Sequence, residues 1–168
     1  GSISRGTVPM SNRPIIIGSG PAGLFAGLVL AENGYKPLIL ERGYDVDRRS
    51  EVVERFFETG SFDVNSNIQF GEGGAGTFSD GKLTTRIKDK RIERVLAKFI
   101  EAGAPEEIAY LNKPHIGTDI LKNVVKNIRN RIIALGGEVW FSSKVTDIRI
   151  EGGAARAVTI NGSETIDS

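Results

Sequence analysis

Apolar positions along the chain follow two rhythms. Ile15-Ile16-Ile17 is a short apolar run after Pro14 that ends in glycines, the pattern of a strand buried on both faces. Ala22 to Asn33 then carries Leu24, Phe25, Leu28, Val29 and Ala31 at helical spacing, and Gly34 fits its stop. Pro37 to Leu40 is a second buried run, ending in Glu41. Strand, helix and strand within about 27 residues predict a parallel βαβ unit.

The helical rhythm returns downstream. Asp45 to Thr59 is charged, with Val46, Val52, Val53, Phe56 and Phe57 interspersed, which predicts a helix covering one face. Gly60 to Lys82 reads as a glycine-rich loop, and Lys90 to Ala102 as a helix closed by Gly103 and Pro105. Thr118 is expected to cap a long amphipathic helix with Ile120, Leu121, Val124, Val125, Ile128, Ile132 and Leu135 on its apolar side, stopped by Gly136-Gly137. Lys122, Lys126, Arg129 and Arg131 are expected on its solvated face. Glu138 to Ser142 would be the third parallel strand, with Trp140 in the core.

From Lys144 the period changes to that of hairpins. Val145 to Glu151, the turn Gly152-Gly153, Ala154 to Ile160 and then Asn161-Gly162 predict a β-meander over 144–168, whose third strand barely begins before Ser168. The fold class expected is therefore α/β: a Rossmann-like domain over 13–168 with a parallel sheet and a meander. Residues 1–12 are set aside as a leader, since Gly1-Ser2 reads as a protease-cleavage scar and Met10 as either a start or an internal residue.

The turn between the first strand and helix, Gly18-Ser19-Gly20-Pro21-Ala22-Gly23, is G-x-G-x-x-G. In that setting Gly18 permits the tight turn, Gly20 the approach of a pyrophosphate and Gly23 the close packing of helix on strand. The helix N-terminus adds unpaired N–H groups and the positive end of a dipole, and Pro21 and Ala22, at this end of the helix, are counted with the hexad as cofactor-binding residues. Glu41, at the end of the second strand, is placed to accept hydrogen bonds from ribose hydroxyls and would repel a ribose 2′-phosphate. Together these favour an adenosine diphosphate moiety with a free ribose, as in FAD or NAD. A glycine-rich turn with an exposed glutamate is the plainer alternative.

Composition narrows the chemistry. With 22 Lys and Arg against 21 Asp and Glu in 168 residues, a net charge of +1 gives no case for nucleic acid or a membrane surface, so small molecules are the expected partners. Without cysteine there is no disulfide framework, thiolate nucleophile or cysteine-ligated metal, and any redox chemistry must come from a cofactor. No metal-ligand spacing is visible. No apolar stretch approaches the roughly 20 residues of a membrane span, and the expected compartment is the cytoplasm.

Pro21 within the hexad, Glu41-Arg42-Gly43 after the second strand and a meander after the third resemble the FAD-binding domain of the glutathione-reductase-like flavoproteins. In NAD-type domains the third strand normally leads to another helix. More specifically, Gly71-Glu72-Gly73-Gly74-Ala75-Gly76-Thr77-Phe78-Ser79-Asp80-Gly81-Lys82-Leu83, with Leu111-Asn112-Lys113-Pro114-His115-Ile116-Gly117-Thr118-Asp119, resembles the bacterial family of uncharacterised FAD-dependent dehydrogenases. Gly73, Gly74, Ala75, Gly76 and Thr77 form a stretch of backbone amides with little side-chain bulk, and the resemblance implies that they contact the flavin. It also implies that backbone groups at Val145 bond adenine; Arg42, beside Glu41, is a candidate ribose or pyrophosphate contact, with a surface arginine as the alternative.

The resemblance implies a flavin-dependent oxidoreductase as the parent protein, with substrate and catalytic residues unassigned. NAD(P)H is one candidate electron donor, although no second dinucleotide site is visible. His115, the only histidine, reads more readily as structural than as a proton donor, and Asp80 and Lys82 as a solvated turn. Such a domain ordinarily continues after its meander with a further parallel strand and a G-D segment. With the expected order 3-2-1-4, the fourth strand would pair with Ile15 to Ile17. This chain is accordingly expected to be a fragment, inactive alone, whose open sheet edge invites self-association. The alternative of another class is a non-redox module that binds NAD or ADP.

Overall fold

The computed structural model describes residues 9–69, 71–78, 90–110 and 116–168. The expectations for His115, Asp80, Lys82 and the start of the leader lie outside these residues.

Three parallel strands, β1 (Ile15–Ile17), β2 (Leu38–Leu40) and β3 (Glu138–Trp140), form a sheet in the order β1-β2-β3. Ile15 pairs with Leu38 and Leu38 with Glu138, so the strands end level with one another. β2 is fully buried, as a central strand of apolar residues should be. β1 departs from the expectation of burial on both faces: Ile15 and Ile16 are half-buried and Ile17 is 54% exposed. Its position at the edge and the opening of a cleft beside Ile17 account for the difference.

Helix α1 (Pro21–Glu32) packs on this sheet together with α4 (Thr118–Ala134). Ile39 points to the helical side and joins Leu24, Leu28, Val124, Ile128 and Ile132 in the larger core. α1 lies close to β2 because residue 27 is glycine; a Cβ there would come within 2.7 Å of Ile39 Cδ1. Leu38 and Leu40 point the other way, into a smaller core shared with Val158 and Ile160. The two-residue period of one strand thus feeds both cores.

The second core is closed by the meander of β4 (Val145–Glu151), β5 (Ala154–Ile160) and β6 (Glu164–Asp167). Both hairpin turns carry positive φ at their central residues, 59° and 77° at Gly152 and Gly153, 52° and 73° at Asn161 and Gly162. Those angles suit the right-handed twist of paired strands. The third strand is more complete than its sequence suggested, with β6 in register against β5 from Ile160↔Glu164 to Ala157↔Asp167.

α2 (Val46–Thr59) begins at Asp45, whose carboxylate accepts from the amides of Asp47 and Arg48, and ends at Gly60 with φ 74°. α3 (Lys90–Glu101) covers the larger core with Leu96, Phe99 and Ile100. Thr118 does not cap α4: Gly117 holds the cap position without a side-chain bond, and Thr118 is the first helical residue. Among the described residues no helix is long and apolar enough to cross a membrane.

Candidate functional site

The chain turns from β1 into α1 through Gly18 (φ 93°), whose amide bonds the Leu40 carbonyl at 2.8 Å and continues the sheet into the turn. The hexad's three glycines answer three separate needs. Gly18 needs its backbone angle. Gly23 needs its lack of a Cβ, which would fall 2.0 Å from the Gly18 carbonyl oxygen. Gly20 needs neither within the protein, since its φ is −67° and a Cβ there would meet nothing within 4 Å. Its small size leaves open space above the turn.

That space lies at the N-terminus of α1, which has no side-chain cap and no acidic residue in its first turn. Pro21 opens the helix and has no N–H to satisfy, leaving the next amides directed at the space. A strand-to-helix turn of this form can accept an anion at its free amides.

Glu41 stands at the carboxyl end of β2, fixed by Glu41 N to Trp140 O and Ser143 N to Glu41 O, both 2.8 Å. The residue is buried, 5% exposed. Oε2 accepts from Ser19 N at 2.8 Å and Ser19 Oγ at 2.6 Å, and Oε1 accepts from Gly43 N at 3.0 Å. Glu41 therefore ties the glycine turn to the end of β2, a task beyond the ribose contact that its spacing suggested. One acceptor position on Oε1 remains for a ligand hydroxyl.

A cleft of about 350 Å³ runs along the carboxyl ends of the strands, lined by Gly18, Gly20, Glu41, Arg42, Gly74 and Val145 together with Ile17, Leu40, Gln69, Gly71, Ser143 and Lys144. Six residues chosen from distant parts of the sequence thus meet in one place, and it is the crevice where open α/β sheets bind ligands. Arg42 turns its Nη2 toward Asn65 Oδ1 at 3.3 Å. Pro21, Ala22, Gly73 and Gly76 lie on the other side of the glycine turn, where they line an apolar cleft of about 380 Å³ with Phe25, Val95, Phe99 and Leu121. Gly23 is packed under the turn, and Ala75 is exposed in a short 3-10 turn, Ala75–Phe78. Thr77 is fully buried and bonded to Arg49 at 3.0 Å, so its side chain faces inward.

Three charged residues around the glycine loop escaped sequence reasoning. Arg49 and Glu72 are both 0% exposed, and Arg129, expected in solvent, pairs with Glu72 Oε2 at 2.9 Å. Oε2 also accepts from the Val46 amide at 2.8 Å, while Oε1 has no hydrogen-bond partner among the described residues. Burial pushes the Glu72 carboxyl up to about 7, against the lowering effect of Arg129 and the Val46 amide. Of the face of α4 expected in solvent, Arg131 is exposed, whereas Lys126 pairs with Asp47 at 2.9 Å and Lys122 lies 4.5 Å from the Phe78 ring centroid. A sequence signal for Arg49 did exist, because Val46, Arg49 and Val53 share the inward i, i+3, i+7 positions of α2.

No family model matches the chain. An uncharacterised protein of Clostridium beijerinckii is 56% identical over 161 residues, covering 96% of this chain and 30% of that protein. Among solved structures, THI4 of Thermovibrio ammonificans gives a TM-score of 0.53 at 18% identity, over 89% of this chain and 47% of its own. The Diels-Alderase PyrE3 of the pyrroindomycin biosynthetic pathway gives 0.54 at 17% identity, over 94% and 31%. At such identities what is shared is the fold. The chain spans about a third of the length of the Clostridium relative and less than half of either solved protein. The Rossmann-like α/β fold expected from the sequence is the fold observed.

Proposed function

We propose that this chain is the FAD-binding part of a flavin-dependent oxidoreductase. The observation that carries the reading is the cleft at the strand ends, where the open side of Gly20, the uncapped start of α1, the Glu41 carboxylate and the backbone of Gly74 and Val145 converge. An adenosine diphosphate group suits it: phosphate over Gly18 and Gly20, ribose toward Glu41, adenine toward Val145. Bound flavin would supply the hydride or electron transfer, and the protein's part is to bind and orient it. The resemblance of the 71–83 loop to flavoprotein sequence, and a third strand that leads into a meander and not a helix, favour FAD over NAD.

The test is to incubate the chain with excess FAD, desalt it and record the absorbance spectrum, then repeat with NAD or ADP as competitor. Flavin bands that survive desalting and resist NAD are the expected result. A colourless protein would contradict FAD binding, and ready displacement by NAD would favour a non-redox nucleotide module.

A further inference from the structure

We propose that Arg49 is a positioning residue whose guanidinium moulds the glycine loop to the shape that the nucleotide cleft requires. Arg49 has no exposed surface, and a buried guanidinium is tolerated only when its N–H groups find acceptors. Nε donates to Asn67 O at 2.8 Å and Nη2 to Ile68 O at 2.7 Å. Nη1 is shared among Glu72 O at 2.9 Å, Gly74 O at 2.6 Å and Thr77 Oγ1 at 3.0 Å. Every acceptor belongs to the stretch between Asn67 and Thr77, and four of the five are backbone carbonyls.

The loop is wrapped on this side chain. The Glu72 and Gly74 carbonyls turn inward in a stretch where Gly71, Gly73 and Gly74 take positive φ, at 129°, 81° and 69°. A Cβ at residue 71 would sit 2.4 Å from Arg49 Cδ, so the arginine occupies the space that a side chain there would need. The guanidinium also lies 4.6 Å from the Phe78 ring centroid, which closes its far side. Desolvation lowers its pKa to about 10, with Glu41 and Glu72 opposing the drop, so it remains a cation at neutral pH.

With the carbonyls held inward, the opposite side of the loop is presented to ligand. Gly71 and Gly74 line the nucleotide cleft, and Gly73 and Gly76 line the apolar one. The Gly73 amide donates to Ser19 O at 3.0 Å and a Cβ at Gly74 would come within 3.3 Å of Pro21 Cδ, so the loop is seated directly on the glycine turn. Arg49 touches neither cleft and acts through the loop.

The ligand readout of this proposal rests on the FAD reading, but its structural readout does not. Arg49→Lys keeps the charge and removes the planar fork, which a lysine cannot replace across five acceptors. Expected are an unchanged circular dichroism spectrum, at least a tenfold weaker FAD affinity, and faster hydrogen exchange in peptides covering 71–78 with β2 still protected. Wild-type FAD affinity and wild-type loop exchange in that variant would overturn the proposal. Should Arg49→Lys fail to fold, Thr77→Val, which removes the side-chain acceptor of Arg49, is compared on the same two readouts with Thr77→Ser, which keeps both that acceptor and the bond the hydroxyl donates to Gly74 O at 3.0 Å: values altered in the valine variant and restored in the serine variant support the role, and unaltered values in the valine variant refute it. If the wild-type chain itself holds no FAD, the proposed function fails and loop exchange alone decides the role of Arg49.

Discussion

Gly20 and Gly23 are three positions apart and serve unrelated requirements, which makes their substitutions opposite in effect. Gly20→Val adds bulk only to the open side of the turn, so it should abolish FAD binding with little change in melting temperature. Gly23→Ala drives a Cβ into the Gly18 carbonyl and should cost about 1–3 kcal/mol of stability in chemical denaturation. Equal effects of the two on melting would contradict this division. Glu72 titrates in the folded protein near 7 against an ordinary 4.5, so its proton is bound more tightly in the folded state. The associated stability is fully present below pH 4.5 and is lost as the pH rises through about 7. Its size is on the order of 3 kcal/mol. Glu72→Gln should flatten that slope, and urea midpoints that fall equally in both proteins would refute the assignment. Motif spacing made the glycines and Glu41 legible from sequence. Arg49 left only its place among the inward positions of α2, and Glu72 left nothing, because the partner arginine and the amide that accompany its burial come from distant segments that no local pattern records.

Elements whose signal is local were easiest to read. The βαβ unit and both hairpins follow from apolar period and from Gly-Gly and Asn-Gly pairs, and they stand where the sequence put them. The start of α2 is equally local, for Asp45 bonds two amides of its own first turn; Asp45→Ala should lower stability by about 1 kcal/mol and Asp45→Asn should recover most of it, as thermal melts would show. An unchanged Asp45→Ala protein would mean that the cap contributes nothing. Helix faces were harder. The basic residues of α4 suggested a wet surface because periodicity separates apolar from polar positions but not solvent from a charged neighbour, here Glu72 and Asp47.

Across the whole molecule, the sheet separates two cores, one under α1 and α4 and one under the meander. Among the described residues β1 pairs only with β2, which leaves its second edge without a strand beside the exposed Ile17. Self-association through that edge is the proposal that follows. Sedimentation should then show species that grow with concentration, and a monodisperse monomer throughout would contradict it. The same edge borders the cleft proposed for the nucleotide, so the fold delivers turn, carboxylate and glycine loop to one crevice. The most direct test of that convergence is a fluorescence titration of FAD with the wild-type chain and with Gly20→Val. Saturable quenching with the wild type, eliminated by the substitution, is expected; no saturation with wild type, or equal binding by both, would show that the turn does not hold FAD.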